Sequence, residues 1–179
     1  MNALKEKFQK VILPQMMKTS KYKNIWQVPR LQKAVINVGL GIGTKDSKYI
    51  DIAEETLLRI TGQKPIKTQA RISISNFKVR KGQVIGLKVT LRGGRMYDFV
   101  DKIINATLPR IRDFRGISTK TVDKNGNINI GFREHIAFPE IKSDEVEKIH
   151  GLQVTITTSA KSHEEGIELF KLLGFPFTK

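Results

Sequence analysis

Two rhythms of apolar and polar positions alternate along this chain. A period of two marks a strand with one face in a core and one in water, and steps of three and four mark a helix with one apolar side. From residue 2 to 18, Leu4, Phe8, Val11 and Ile12 fall at helical spacing with Lys5, Lys7 and Lys10 between them, and Pro14 either kinks this helix or marks its C-terminal part. A connector from Tyr22 to Pro29 enters the first strand, Lys33 to Gly39, with Ala34, Ile36 and Val38 inward and Lys33, Val35 and Asn37 outward. An N-cap at Asp46 or Ser47 opens a helix carrying Ile50, Ala53, Leu57 and Ile60, and Gly62 closes it.

Residues 64–95 predict a β-hairpin. One arm sets Ala70, Ile72 and Ile74 against Gln69, Arg71 and Ser73; the other sets Ile85, Leu87, Val89 and Leu91 against Lys88, Thr90 and Arg92. Between them Ser75 to Gly82 is a turn-rich loop holding Asn76, Phe77, Lys78, Arg80 and Lys81, cations around an aromatic, which suits a polyanion with bases to stack on. Phe77 either lies in a small core under the loop or is exposed, and its polar neighbours favour exposure. A helix follows from about Gly94 to Leu108, closed by Pro109, and then the looser segment Arg110 to Gly116.

Asp123 to Asn127 is a turn signal, after which Ile128, Ile130 and Phe132 alternate as a strand. Phe138-Pro139 ends that region and Ser143 to Ile149 suits a short helix. Leu152 to Thr158 is the cleanest strand, with Leu152, Val154 and Ile156 on one face and Gln153, Thr155 and Thr157 on the other. Ser162 to Glu165 is a capping box for a last helix with Ile167, Phe170 and Leu173, stopped by Gly174, and Phe175-Pro176-Phe177 folds back onto the core. The expected class is α+β: a mainly antiparallel sheet with helices packed on one face. Its other face is open, polar and basic, displaying Asn37, Gln69, Arg71, Lys88, Thr90, Arg92, Gln153, Thr155 and Thr157. Residues 1–179 form a single domain in this reading, with a protruding basic hairpin loop near 75–83 and a looser lobe near 110–142.

Charge turns that open face into a candidate interface. The net charge is +15 over 179 residues, and residues 1–97 carry all of it, since residues 98–179 balance. Between Glu55 and Asp98 stand ten Lys or Arg and no carboxylate. A solvated surface mixes both signs, so a long run of one sign makes a positive field that attracts phosphate. Nucleic-acid binding therefore ranks above a merely solvated face. Arg110, Arg112 and Arg115, around Phe114, form either a second contact patch or local ion pairs with Asp113; the residues alone do not separate the two.

Other chemistry finds little support. The absence of cysteine excludes disulfides and thiolate metal sites. No apolar run suits a membrane span, and the N-terminus lacks a signal-peptide core, so a chain acting where it is made is expected. Gly39-Leu40-Gly41-Ile42-Gly43 falls short of a dinucleotide fingerprint, because Thr44 stands where the third glycine belongs and Gln63, Lys64 and Lys67 where the ribose-binding acid is expected. A tight strand-to-helix turn is the favoured reading. His135, His150 and His163 lack metal-ligand spacing and suit surface or structural roles. Glu164 and Glu165, like Asp144 and Glu145, stand where helix starts favour acids. Nothing pairs a nucleophile with a base, so neither enzyme, cofactor nor metal is expected.

Several blocks in order carry a resemblance: LRITGQKP at 58–65, Ala70-Arg71, NFKVRKG at 76–82, Ile85-Gly86, VTLRGGRMYDF at 89–99, LPRIRDFRG at 108–116, FREHIAFPEI at 132–141, GLQVTITTSAK at 151–161 and FPF at 175–177. Together they resemble the bacterial-type large-subunit ribosomal protein five, a 5S-ribosomal-RNA-binding family, nearly from end to end. The resemblance implies a place in the central protuberance of the large subunit, beside 5S and 23S rRNA and neighbouring large-subunit proteins. It implies that Asn37, Gln63 and Thr90 meet 5S rRNA, supported by basic residues of the first half, Lys67, Arg71, Lys88 and Arg92. The tip, with Asn76, Phe77, Lys78, Arg80 and Lys81, would contact P-site tRNA, and the region of Arg110, Arg112 and Arg115 would lie toward a small-subunit head protein. The implied location is the cytoplasmic ribosome, with an organelle-encoded copy not excluded. A free-standing RNA chaperone or regulator using the same face is the alternative.

Overall fold

The period-two stretches assemble into one five-stranded antiparallel sheet in the order β2-β3-β1-β5-β4. The structure is a computed structural model and describes residues 3–19, 22–41, 47–141 and 148–178. In chain order the elements are α1 (Ala3–Lys7), a π turn (Phe8–Ile12), α2 (Leu13–Thr19), β1 (Leu31–Gly39), α3 (Ser47–Thr61), β2 (Ile66–Gln69), β3 (Val84–Leu91), α4 (Gly93–Lys102), a second π turn (Ile103–Thr107), β4 (Ile128–Phe132), β5 (Leu152–Thr158) and α5 (His163–Leu173). The α+β class with a mainly antiparallel sheet, expected from the sequence, is the class observed.

Packing divides the chain into two units. The first comprises Met1–Ala34, Leu91–Ile130 and Thr155–Lys179; the second comprises Val35–Thr90 and Gly131–Val154. In the first, α1 packs on α4, with the Phe8 and Tyr97 rings 6.5 Å apart. Leu4, Phe8, Ile12 and Met16 are buried, as are Met96, Phe99, Val100 and Ile103 and, on α5, Leu169, Phe170 and Leu173. Each such side chain contributes about 1.5–3 kcal/mol by leaving water. In the second unit Ala53, Leu57 and Ile60 of α3 are buried together with Ile36 and Val38 of β1 and Leu87 and Val89 of β3.

Pro14 does more than kink the N-terminal helix. Leu13 N–H bonds to the Phe8 carbonyl five residues back, and the Leu108 N–H bonds likewise to Ile103, so each π turn ends at a Leu-Pro step. A proline cannot donate to the carbonyl four residues before it, and its ring crowds that carbonyl. Widening the preceding turn relieves the crowding while the helix runs on.

The hairpin departs most from expectation. Its first arm pairs over Ile66–Gln69, and no strand continues along Ala70 to Ile74. Ala70 is buried, but Ile72 is 72% exposed and Ile74 and Ile85 are exposed as well. The register slips between Thr68 and Gln69, which pair with Gly86 and Val84, and that bulge throws Ile85 out of the alternation.

Helix ends follow their signals closely. Gly62 and Gly174 adopt φ of 65° and 105°, and Phe175 turns back to donate its N–H to the Phe170 carbonyl at 3.0 Å while its ring meets Phe170 edge-on. Ser162 Oγ accepts the Glu165 N–H at 3.3 Å, but Glu165 returns its bond to the Lys161 N–H at 2.9 Å, one residue beyond the ordinary box. The cap at Asp46, the glycine turn beyond Gly41, the acids Asp144 and Glu145, and most of the helix expected from Ser143 to Ile149 lie outside the described residues.

Candidate nucleic-acid interface

Strand register decides which polar residues share a face. Ile66 pairs with Lys88 and Thr68 with Gly86, whereas Lys67 pairs with Leu87, which is fully buried. Directly opposite residues project to the same side, so Lys88 points away from the core and Lys67 shares the side of Leu87. On β1, Asn37 is exposed between the buried Ile36 and Val38. Thr90 follows Lys88 at the spacing that keeps it on the open side, and Gln63 Nε2 donates to the Thr90 carbonyl at 3.3 Å. Asn37, Gln63, Lys88 and Thr90 therefore offer amide, hydroxyl and ammonium groups from the open side of the second unit.

Lys67 does not join them. Its ammonium pairs with Glu54 at 2.9 Å and Asp51 at 3.6 Å, both on α3. The hydrogen bond to Glu54 and then its charge hold the Lys67 pKa above the usual lysine value, and the Lys67 bond holds Glu54 below the usual carboxylate value against some desolvation. Lys64 also pairs with Glu54, at 3.7 Å, so two carboxylates and two ammoniums in one cluster leave little net field for phosphate.

Bare backbone fills the centre of this face. A Cβ on Gly86 would stand 2.8 Å from the Val38 carbonyl oxygen and 2.9 Å from Thr68 Oγ1. Only glycine lets β3 pass there.

Beyond the bulge the loop builds its own scaffold. Ala70 N–H bonds to the Gln83 carbonyl and Gly82 N–H to Ala70, both at 2.9 Å. Ile74 and Val79 exchange backbone bonds across a four-residue tip, with Lys78 in the left-handed region at φ 54°. Ser73 Oγ accepts from the Lys81 N–H, and Gln83 Oε1 from the Arg80 N–H. This frame holds Asn76, Phe77, Lys78, Arg80 and Lys81 in solvent; Phe77 is 76% exposed. Arg71 is also exposed, at the root of the loop, where it lines an open groove of about 610 Å³ with Ala70, Ile72, Ile74, Phe77, Val79 and Ile85.

In the first unit Arg92 is exposed at the N-cap of α4, where it makes no capping bond with its side chain. Arg110, Arg112 and Arg115 are exposed along an irregular stretch in which Asp113 has φ 56°, and among the described residues none of them has an ion pair with Asp113. On the outward side of the neighbouring strands, Thr155 Oγ1 donates to Asn129 Oδ1 at 2.7 Å.

Trp26 lies in the connector from Tyr22 to Pro29, to which the sequence pattern assigns no contact. It is 77% exposed, with the Arg30 guanidinium 5.5 Å from its ring centroid. Its signal was a lone tryptophan inside a basic segment. His135 and His150 prove structural, both buried and stacked on one another. Among the described residues no cluster of His, Cys, Asp or Glu could hold a metal ion, and no helix is long and apolar enough to cross a membrane.

Two family descriptions match consecutive parts of the chain: that of ribosomal protein L5 over residues 24–80, and that of the C-terminus of the same ribosomal family over residues 84–177. The protein of Halothermothrix orenii called large ribosomal subunit protein uL5 is 52% identical over the whole of both chains. Those of Carboxydothermus hydrogenoformans and Desulforamulus reducens, named alike, are 50% and 51% identical over the whole of this chain and 100% and 99% of their own. Two matching halves and identity at this level along the full length are decisive: the chain belongs to the uL5 family, structural and non-enzymatic proteins of the large ribosomal subunit.

Proposed function

We propose that this protein fastens 5S rRNA into the central protuberance of the large subunit in the cytoplasmic ribosome. The observation that carries the reading is that the β2–β3 register turns Lys88 and Thr90 away from buried Leu87, Asn37 is exposed between buried neighbours on β1, and Gln63 bonds to the Thr90 carbonyl. Amides and hydroxyls there match base edges and ribose hydroxyls, while Lys88, Arg71 and Arg92 take phosphates. The framework behind them is a hydrogen-bonded sheet, which lowers the ordering entropy that opposes binding. The exposed loop tip, Asn76 to Lys81, serves a second partner, the elbow of the P-site tRNA, by charge and by stacking on Phe77. Arg110, Arg112 and Arg115 face a protein of the small-subunit head, and other parts of the surface meet 23S rRNA and neighbouring large-subunit proteins.

The test is a salt titration of 5S rRNA binding. Replacing Arg71, Lys88 and Arg92 with alanine should weaken affinity and flatten the log–log salt dependence by about 0.7–0.9 per lost phosphate contact. Unchanged affinity and slope would remove the phosphate contacts assigned to Arg71 at the loop root, Lys88 on the strand and Arg92 at the α4 N-cap. Replacing Lys78, Arg80 and Lys81 should leave 5S rRNA binding intact and weaken retention of P-site tRNA on assembled ribosomes. Loss of 5S rRNA binding in that variant would refute the division between face and tip.

A further inference from the structure

We propose that the Trp26 indole is a stacking platform for an unpaired RNA base, a contact separate from the sheet face and the loop tip. The proposal rests on the RNA-binding reading above and adds a site to it. Trp26 is the most exposed of the large apolar side chains described, at 77%, with Ile25 beside it at 55%. A tryptophan left in water gives up the burial that makes this residue valuable to a core, and its apolar ring with a polar N–H suits it to an interface.

The turn that carries it is held by several hydrogen bonds. Residues Ile25–Gln27 form a single 3-10 turn capped by Asn24, whose Oδ1 accepts the Trp26 N–H at 3.2 Å and whose carbonyl accepts the Gln27 N–H at 3.0 Å. Gln27 Oε1 accepts the Lys23 N–H at 3.0 Å, and Val28 and Pro29 are buried just after the turn. Arg30 is pinned by its backbone, donating to Ser159 Oγ at 3.0 Å and accepting from the Ser159 N–H at 2.9 Å. The indole is thus presented with little left to order on binding.

Chemistry selects the ligand. The Arg30 guanidinium lies 5.5 Å from the ring centroid, a cation–π pair that fixes the indole and places a positive charge beside it. Residues 7–45 contain eight Lys or Arg and no carboxylate. An apolar protein surface would have to desolvate those cations, whereas a nucleotide brings both a π-face for Trp26 and a phosphate for Lys23 or Arg30. An unpaired base is required, because a base inside a helix has both faces covered.

Trp26 is the single tryptophan of the chain, so indole emission reports on this site alone. The experiment follows a dye-labelled bacterial 5S rRNA transcript by anisotropy and Trp26 emission, with and without acrylamide, in the same titration. The expected result is quenching and acrylamide protection of Trp26 as the RNA binds. Trp26→Ala and Trp26→Leu should each weaken binding about 5- to 150-fold, the range of one base–aromatic stack, while Trp26→Phe retains most of the affinity. Tight RNA binding with unchanged emission and wild-type affinity for Trp26→Ala would overturn the platform and leave the sheet face standing. No binding of the labelled RNA by the wild-type chain would overturn both. If Trp26→Ala instead keeps its RNA affinity and weakens pull-down of another large-subunit protein, the residue belongs to a protein contact and the proposal falls.

Discussion

The imidazole rings of His135 and His150 lie stacked, their centroids 4.0 Å apart and their planes 14° from parallel. Their backbones cross-link the same two positions: His135 N–H donates to the His150 carbonyl, and His150 N–H donates to His135 Nδ1, both at 3.2 Å. Tyr49 meets His150 edge-on at 6.4 Å. A proton on either ring would put a charge in this buried stack.

Acid should therefore loosen the second unit. Burial, and then the neighbouring His135, push the His150 imidazole down to about 4, and burial also lowers His135. A base whose folded pKa lies below its unfolded value takes up its proton more readily when unfolded. The stability from neutral His150 is complete above about pH 6.5 and drains away as pH falls toward about 4, by on the order of 3 kcal/mol in all. Urea unfolding at pH 7 and at pH 5 measures it, and His150→Phe should flatten the pH dependence. A variant with the wild-type profile would show that the stack is not the acid-sensitive element.

Gly166 sits inside α5, where alanine ordinarily adds up to about 1 kcal/mol of helix stability. Here the sign reverses. A Cβ at that position would collide with the Gly126 backbone, within 2.8 Å of its carbonyl oxygen, and that carbonyl already accepts the Thr158 hydroxyl at 2.8 Å. Gly126 itself has φ 73° and is hemmed in by Ala160 and the Ser162 carbonyl. Gly166→Ala should cost about 1–3 kcal/mol, as overpacking does, measured by the urea midpoint. A variant more stable than wild type would show that the turn yields easily.

Lys67 and Lys88 are close in the hairpin yet should behave oppositely toward RNA. Lys88→Ala should lower the salt slope of 5S rRNA binding by about 0.7–0.9, whereas Lys67→Ala should leave the slope nearly unchanged. The reason is the pairing of Lys67 with Glu54 and Asp51 on the side of buried Leu87. Its exposed ion pairs contribute about 0–1 kcal/mol to the fold, so the variant should remain folded. Equal slopes for the two variants would contradict the register argument.

Much of this protein was written in local patterns. The alternation of Ala34, Ile36 and Val38 and of Leu152, Val154 and Ile156 specified strand and core face unaided, because side chains on a pleated strand must alternate. Gly62, Gly174, Ser162 and the turn at Asp123 marked element ends, because each supplies a backbone group or a φ that the neighbouring helix or turn requires. The outward places of Asn37 and Lys88 were legible for the same reason, and family membership followed from ordered blocks of sequence.

Tertiary structure decided the rest. Ala70 to Ile74 alternate like a strand, but the β2–β3 ladder ends at Gln69, only Ala70 and an isolated Ile74–Val79 bridge pair beyond it, and Ile72 and Ile74 stay in water; alternation says nothing about whether a partner strand reaches that far. Nor can a run of cations tell a lysine neutralised by Glu54 from one facing solvent, since that depends on the pairing of Lys67 with Leu87 across the hairpin. The central place of β1, beside β5 more than a hundred residues away in sequence, is likewise a matter of long-range packing. Local sequence chose the elements and their faces through backbone geometry; which face meets acid, aromatic or water was settled only when distant segments came together.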